Sequence, residues 1–320
     1  MPRDLAEVTS PTNDDLGHPL VSVVVPTHGR RDLVRQTVAS IVAQTYPGEI
    51  ECLVVHDREE PDPSLTRMSE PGREVRVTTN ACTPGLAGAR NTGVDQTSGS
   101  LIASCDDDDL WHPTKLEKQV ARMLQDPALL VVGTGLRLLF PSRVVAWPAR
   151  AEVFEREFVL RSRVKELHSS TMLMRREVIA RAGRYDEELP NGYGEDYDFV
   201  LRAAAVGKVG CVIEPLADIR KDVSSFYLGK AETTAAGLEM LLAKHPEITN
   251  SRRGHARLLG QIAYAHSTAG HRGTALRFAS QSLRRWPAAP FGWLAVTHLV
   301  TRMRPERLLE LARLFGRGLT

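Results

Sequence analysis

The strongest constraint on the fold is an alternation that runs from Leu20 to Asp126. Short, uninterrupted apolar stretches rich in β-branched side chains are separated by segments with helical spacing. "LVSVVVP" (Leu20–Pro26) is apolar at successive positions and closed by proline, the pattern of a strand buried on both faces. "RRDLVRQTVASIVAQTY" then sets Leu33, Val34, Val38, Ile41 and Val42 at helical spacing. "IECLVVHD" and "EVRVTT" read as a second and third strand, "GLAGARNTGVDQTSG" as a helix between glycines, and "SLIASC" as a fourth strand. "PTKLEKQVARMLQD" reads as a helix with Pro113 at its first position. Strands that alternate with helices in this way predict an α/β sheet whose strands are mainly parallel.

The middle of the chain is more mixed. "ALLVVGTGLRLLF" and "RVVAWP" suggest strands, "HSSTMLMRREVIARAG" a strand running into a helix, "GEDYDFVLRAAAVGK" a helix from Glu195, and "VGCVIEP" a strand. After Asp222 four helical patterns follow one another, separated by Gly or Pro. Ala263, Ala275 and Ala279 give "LLGQIAYAHSTAGHRGTALRFASQSLRRWP" a layout like tetratricopeptide repeats, with fewer than two full repeats visible. The expected organisation is a polar tail over 1–19, an α/β domain over 20–230 and a small all-helical domain over 231–320. Helix pairs of this kind bind partners or a second copy of themselves, so the helical domain is expected to dimerise or to dock an acceptor.

A net charge of +2 does not imply a polyanionic partner, and no nucleic acid is expected. From Thr233 onward, however, positive charge exceeds negative by about nine, enough for contact with a membrane surface or an acidic partner. Cys52, Cys82, Cys105 and Cys211 show no metal spacing and fit a reduced, cytoplasmic protein. The N-terminal residues lack the apolar core of a signal peptide, and no apolar run has transmembrane length.

In an open α/β sheet, ligands bind beyond the carboxyl ends of the strands. Three such ends carry suggestive residues: Pro26-Thr27-His28, Asp57 and the run Asp106–Asp109. If these strands are neighbours, the groups share one crevice. Carboxylates there suit a hard cation, Mg²⁺ or Mn²⁺, that also binds phosphate oxygens. Taken alone, the aspartate run is equally well a solvated loop, and "GEDYD" an acidic helix start favoured by the macrodipole.

"VSVVVPTHGRRDLVRQTVASIVAQTYPGEIECLVVHD" followed by "GLAGARNTGVDQTSGSLIASCDDDDLWHPTKLEKQ" resembles the nucleotide-sugar half of the inverting family 2 glycosyltransferases, which have the GT-A (Rossmann-like) fold. The resemblance covers roughly Leu20 to Asp222. It implies that Pro26 and Thr27 line the base pocket and that Asp57 accepts from the base, typically the uracil of a UDP-sugar. His56 stands where the family usually has a first acid. Arg90 is placed near the diphosphate, Asp106 and Asp107 beside the ribose and phosphates, and Asp108 on the metal, Mn²⁺ or Mg²⁺. Asp109 is expected to cap the following helix. In "NGYGEDYDFVLRAA" the resemblance makes Asp196 the catalytic base. Asp222 takes the place of a family histidine that can complete the metal site, and His168 opens the segment facing the acceptor. The Gln-x-x-Arg-Trp signature of processive members is absent, so one or a few sugars per acceptor are expected. Two alternatives share the scaffold: a sugar-phosphate nucleotidyltransferase, for which "PTHGRRDL" has only one glycine, and an inactive carbohydrate- or partner-binding protein.

Overall fold

The computed structural model describes residues 17–221, 231–305 and 307–308. Four parallel strands form one side of the sheet: β1 (Val21–Thr27), β2 (Ile50–His56), β3 (Arg73–Thr79) and β4 (Leu101–Ser104), in spatial order β3-β2-β1-β4. All residues of β1, β2 and β4 are buried, as uninterrupted apolar runs require. α1 (Arg31–Val42) and α2 (Leu86–Asp95) connect them. The small residues of α2 let it lie hard against the sheet: a Cβ at Gly93 would come within 2.2 Å of Val24.

Beyond β4 the sheet becomes mixed. β9 (Leu173–Arg175) pairs antiparallel with both β4 and β6 (Leu129–Phe140), and β10 (Lys208–Arg220) runs parallel to β6. β7 (Arg143–Trp147) forms a hairpin with β6, while β5 (Leu110–Trp111) and β8 (Val153–Phe154) add to β10. The result is a ten-stranded α/β sheet. α3 (Lys115–Gln125), α4 (Arg156–Arg161), α5 (Glu177–Ala182) and α6 (Glu195–Val206) flank it. This is the mixed, helix-flanked GT-A architecture expected from the sequence. One boundary shifts: α3 begins at Lys115 after Thr114, so Pro113 precedes the helix, and its carbonyl accepts from the Thr45 amide at 2.9 Å.

After residue 230 come α7 (Ala231–Lys244), α8 (Arg252–Thr268), α9 (Arg272–Arg285) and α10 (Pro290–Thr301), among the described residues. Ala263, Ala279 and Ala295 are fully buried where α8, α9 and α10 meet. Leu238, Leu241, Ile248, Leu258 and Ile262 join the apolar cluster that holds Val159, Phe199 and Val200. One core therefore runs from the sheet layer into α7 and α8. All four cysteines are free thiols, three of them buried. Among the described residues no helix is long and apolar enough to cross a membrane.

Candidate active site

Because β1 lies between β2 and β4, the carboxyl ends of the three strands are adjacent. The Asp57 amide donates to the Thr27 carbonyl at 2.9 Å, His28 Nδ1 lies 2.6 Å from the Asp57 carbonyl, and Thr27 Oγ1 donates to Asp107 Oδ2 at 2.8 Å. Pro26, buried in β1, faces Val55 of β2. The Asp57 carboxylate accepts from Asn80 Nδ2 (2.8 Å), the Gly85 amide (3.0 Å) and Arg58 Nε (2.9 Å). Burial pushes this carboxyl up, but those donors outweigh it and hold it below its ordinary value. His56, in the first acidic place, is buried and reaches Glu59 at 3.1 Å and the Asp62 amide at 3.3 Å, so it pins the loop after β2.

The four aspartates separate by environment. Asp106 accepts from Arg90 Nη2 at 2.6 Å and Ser169 Oγ at 3.0 Å. Arg30 bridges Asp107 (3.0 Å) and Asp108 (2.6 Å). Asp109 is buried and accepts from Ser170 Oγ at 2.5 Å and from the Arg220 amide at 3.0 Å. The cap expected of Asp109 is not made: α3 has no side-chain cap hydrogen bond, and the Asp109 carboxylate instead ties the loop after β4 to the Ser169–Thr171 turn and to β10. Burial pushes Asp107 up to about 6, and burial with the charges of Asp106 and Asp108 raises Asp109 well above an ordinary carboxyl. Burial also raises Asp108. The Asp106 and Asp108 side chains are about a quarter exposed, at 25% and 28%, so these two offer oxygens to the crevice.

Arg90 is fully buried rather than a surface residue. It binds Ser104 Oγ at 3.1 Å, Asp106, and Glu195 of α6, thereby joining the aspartate run to that helix. α6 starts abruptly after Gly194, whose φ of 83° is left-handed backbone that favours glycine. Its first four residues each meet a different partner set. Glu195 meets Arg90, and burial pushes its carboxyl up to about 7. Asp196 accepts from Arg163 Nη2 at 2.7 Å on both oxygens. Burial raises Asp196, yet Arg163 outweighs it and the net direction is down. Tyr197 Oη donates to the Val159 carbonyl and accepts from Arg257 of α8, each at 2.9 Å. Asp198 is met by Arg202, by Lys244 of α7, and by His245 just beyond it.

His168 lies beside Asp106 and Asp109: one ligand atom from each of the three falls within 4.8 Å of the others. Burial lowers His168 to about 4, which keeps its imidazole neutral, as a metal ligand must be. Two carboxylates and an imidazole are a donor set for a divalent cation. Asp222, the other expected metal ligand, lies outside the described residues. The structure thus joins Thr27, Asp57 and Asp107 at the ends of β1 and β2, Asp107 and Asp108 through Arg30, and Asp106 through Arg90 to Glu195 beside Asp196. Sequence reasoning missed Arg30, Arg163, Ser169 and Ser170. Arg30 had a signal, standing just past the end of β1 beside an acidic crevice. Arg163 had none, since it meets Asp196 across 33 positions.

WfgD of Escherichia coli, a UDP-Glc:alpha-D-GlcNAc-diphosphoundecaprenol beta-1,3-glucosyltransferase, is 32% identical over 114 residues, 36% of this chain and 45% of that protein. The chain thus spans less than half the length of that relative. An uncharacterized glycosyltransferase of Haemophilus influenzae is 24% identical over 68% of this chain and 71% of its own length. Among solved structures, S. aureus TarS 1-349 in complex with UDP-GlcNAc superposes with a TM-score of 0.58 at 18% identity, covering 91% of this chain and 83% of that one. The mannosyltransferase PcManGT from Pyrobaculum calidifontis, in complex with GDP-Man and Mn2+, gives 0.56 at 18% identity over 93% and 85%. The family model described as "Glycosyl transferase family 2" matches residues 22–183, half of the chain. The chain belongs to glycosyl transferase family 2.

Proposed function

We propose that this chain is a metal-dependent, inverting and non-processive glycosyltransferase that moves a sugar from a nucleoside-diphosphate sugar, UDP-linked by preference, to an acceptor hydroxyl. One observation carries the reading: at the adjacent carboxyl ends of β1, β2 and β4, Thr27 binds Asp107 and buried Arg90 joins Asp106 to Glu195, the neighbour of Asp196, although these residues come from separate parts of the chain.

In this reading Pro26 and Thr27 flank the base, and the low-lying Asp57 carboxylate accepts from its N–H. Asp106 and Asp107 hold the ribose and phosphates, and Arg90 fixes Asp106 in place from below. Asp108 would hold the cation with Asp106, and Asp109 and His168 each bring a ligand atom within 4.8 Å of one on Asp106. When bound, a divalent cation there would offset the negative charge that develops on the departing nucleoside diphosphate. Asp196 takes the proton from the acceptor hydroxyl as it attacks the anomeric carbon from the side opposite the leaving group. Asp222 remains a further candidate for the cation.

The base and the sugar are tested together. The chain with Mn²⁺ is offered UDP-Glc, UDP-GlcNAc and GDP-Man, since structural neighbours hold both uridine and guanosine nucleotides. Calorimetric binding and slow donor hydrolysis are expected with a UDP-sugar. Absence of binding to all three overturns the proposal, and pyrophosphate exchange into a nucleoside triphosphate would point to a nucleotidyltransferase. Self-association through residues 231–320 belongs to the same reading and is measured by light scattering of the full chain. A cytoplasmic location is likewise proposed, from the free thiols.

A further inference from the structure

The helical end of the chain has a charge pattern unlike the rest. From Ser251 to Pro305 it carries nine arginines and not one aspartate or glutamate. Extended to Thr320, the count is twelve arginines, no lysine and two glutamates, an excess of ten positive charges inside a chain whose formal total is +2. The contacts of this region with acids, among the described residues, run through histidines instead: His266 to Glu239 and His271 to Glu232. Among the described residues of this region no arginine pairs with a carboxylate.

Several of them gather at one end of the helical layer, where α8 begins and α9 ends. Arg285 Nε lies 3.2 Å from His255 Nδ1, its Nη2 donates to the Thr249 carbonyl at 2.8 Å, and Arg252 donates to the Arg285 carbonyl. The Arg253 guanidinium sits 5.5 Å from the centre of the Trp286 ring. Arg253 and Arg284 are exposed, and Arg277, seven residues before Arg284, shares its face of α9. Trp293 lies at the same end, because its Nε1 donates to the Pro287 carbonyl at 2.7 Å, and it is 53% exposed.

A soluble polyanion would need only the charge. Arginines with a half-exposed tryptophan fit a lipid headgroup layer, where guanidinium meets phosphate and indole sits at the boundary with the acyl chains. We propose that this end of α8 and α9, with Trp293, docks on the surface of an anionic phospholipid bilayer. The remainder of the chain is net negative, so the same field turns it away from the bilayer and fixes one orientation. The docking rests on charge and exposed indole alone and does not depend on the reaction assigned to the crevice.

The experiment is sedimentation of the full chain with vesicles of phosphatidylcholine alone, or with one third phosphatidylglycerol. Binding to the anionic vesicles only, released by high salt, is expected. Each arginine near such a surface is worth roughly fivefold in partitioning, so Arg253→Gln with Arg284→Gln should weaken binding roughly 30-fold. Neither side chain supports the fold through an ion pair, and the melting temperature and the binding of UDP should stay as they are. Trp emission should shift to the blue on binding, and Trp293→Ala should remove most of that shift. Equal binding to both vesicle types, or no loss in the arginine double variant, overturns the proposal. So does tighter binding to an acidic polysaccharide or RNA than to the vesicles, with Trp emission unchanged.

Discussion

Arg163 holds both carboxylate oxygens of Asp196 at 2.7 Å, so the group assigned as the base begins paired with a cation. A carboxylate so held is a weak proton acceptor, and an acceptor hydroxyl has to displace part of this contact to be deprotonated. Asp196→Asn should therefore lower transfer by on the order of 10²–10⁴-fold while nucleotide binding persists. Removing the guanidinium raises the pH at which Asp196 takes up a proton. In Arg163→Ala the acidic limb of the pH–rate profile should thus move to higher pH, and an unmoved limb would mean that another group titrates.

The aspartate run makes a positional prediction. Asp108 exposes oxygen to the crevice, whereas Asp109 is buried against Ser170 and Arg220. Calorimetry with Mn²⁺ should show binding lost in Asp108→Asn and largely kept in Asp109→Asn. Equal losses would move the metal site onto Asp106, Asp109 and His168.

Arg90 carries the greatest structural risk of the residues at the crevice. Arg90→Met leaves Glu195 and Asp106 without their shared cation in a buried setting. Breaking such a pair costs about 3–5 kcal/mol. Urea denaturation should report a loss of that order, and Arg90→Lys should recover part of it. A change within experimental error would show that the two carboxyls find other partners.

Asp198 predicts a pH dependence of stability. Burial raises its carboxyl, but His245, Lys244 and Arg202 outweigh this and hold it well below the ordinary value. A depressed carboxyl contributes stability that is present above the unfolded value, about 3.9, and is lost as pH falls toward the folded one. The melting temperature of Asp198→Asn should fall below that of the parent at pH 7, with the gap closing below about pH 4. A gap independent of pH would assign the loss to packing.

How legible these features were follows from their range. β1, β2 and β4 could be read because a strand covered on both faces writes an uninterrupted apolar run, and α1 because its apolar spacing is regular. The place of β9 could not, since its three residues come from some seventy positions after β4 and owe their location to pairing with β4 and β6. The same holds within the site. The aspartates were visible as a cluster, and the family resemblance assigned them roles. Their division into crevice-facing and buried members depends on Ser169, Ser170 and Arg220, which no local spacing connects to them. Arg90 was expected near the nucleotide, yet its buried link to Glu195 is a contact across 105 positions.

The apolar cluster shared by the sheet layer, α7 and α8 bears on how the chain can be divided. A cut at residue 230 would strip Leu238, Leu241, Ile248, Leu258 and Ile262 from Val159 and Phe199, and also take Lys244 and His245 from Asp198 and Arg257 from Tyr197. The shortened protein would then fail for reasons unrelated to self-association. α8 in turn packs along α9 and α10, through Ala263, Ala279 and Ala295 and through Ser282 Oγ, which donates to the Ala256 carbonyl at 2.6 Å, so a cut after α8 would strip its other face. In modular terms, α7 and α8 are a buttress of the sheet layer rather than a detachable appendage.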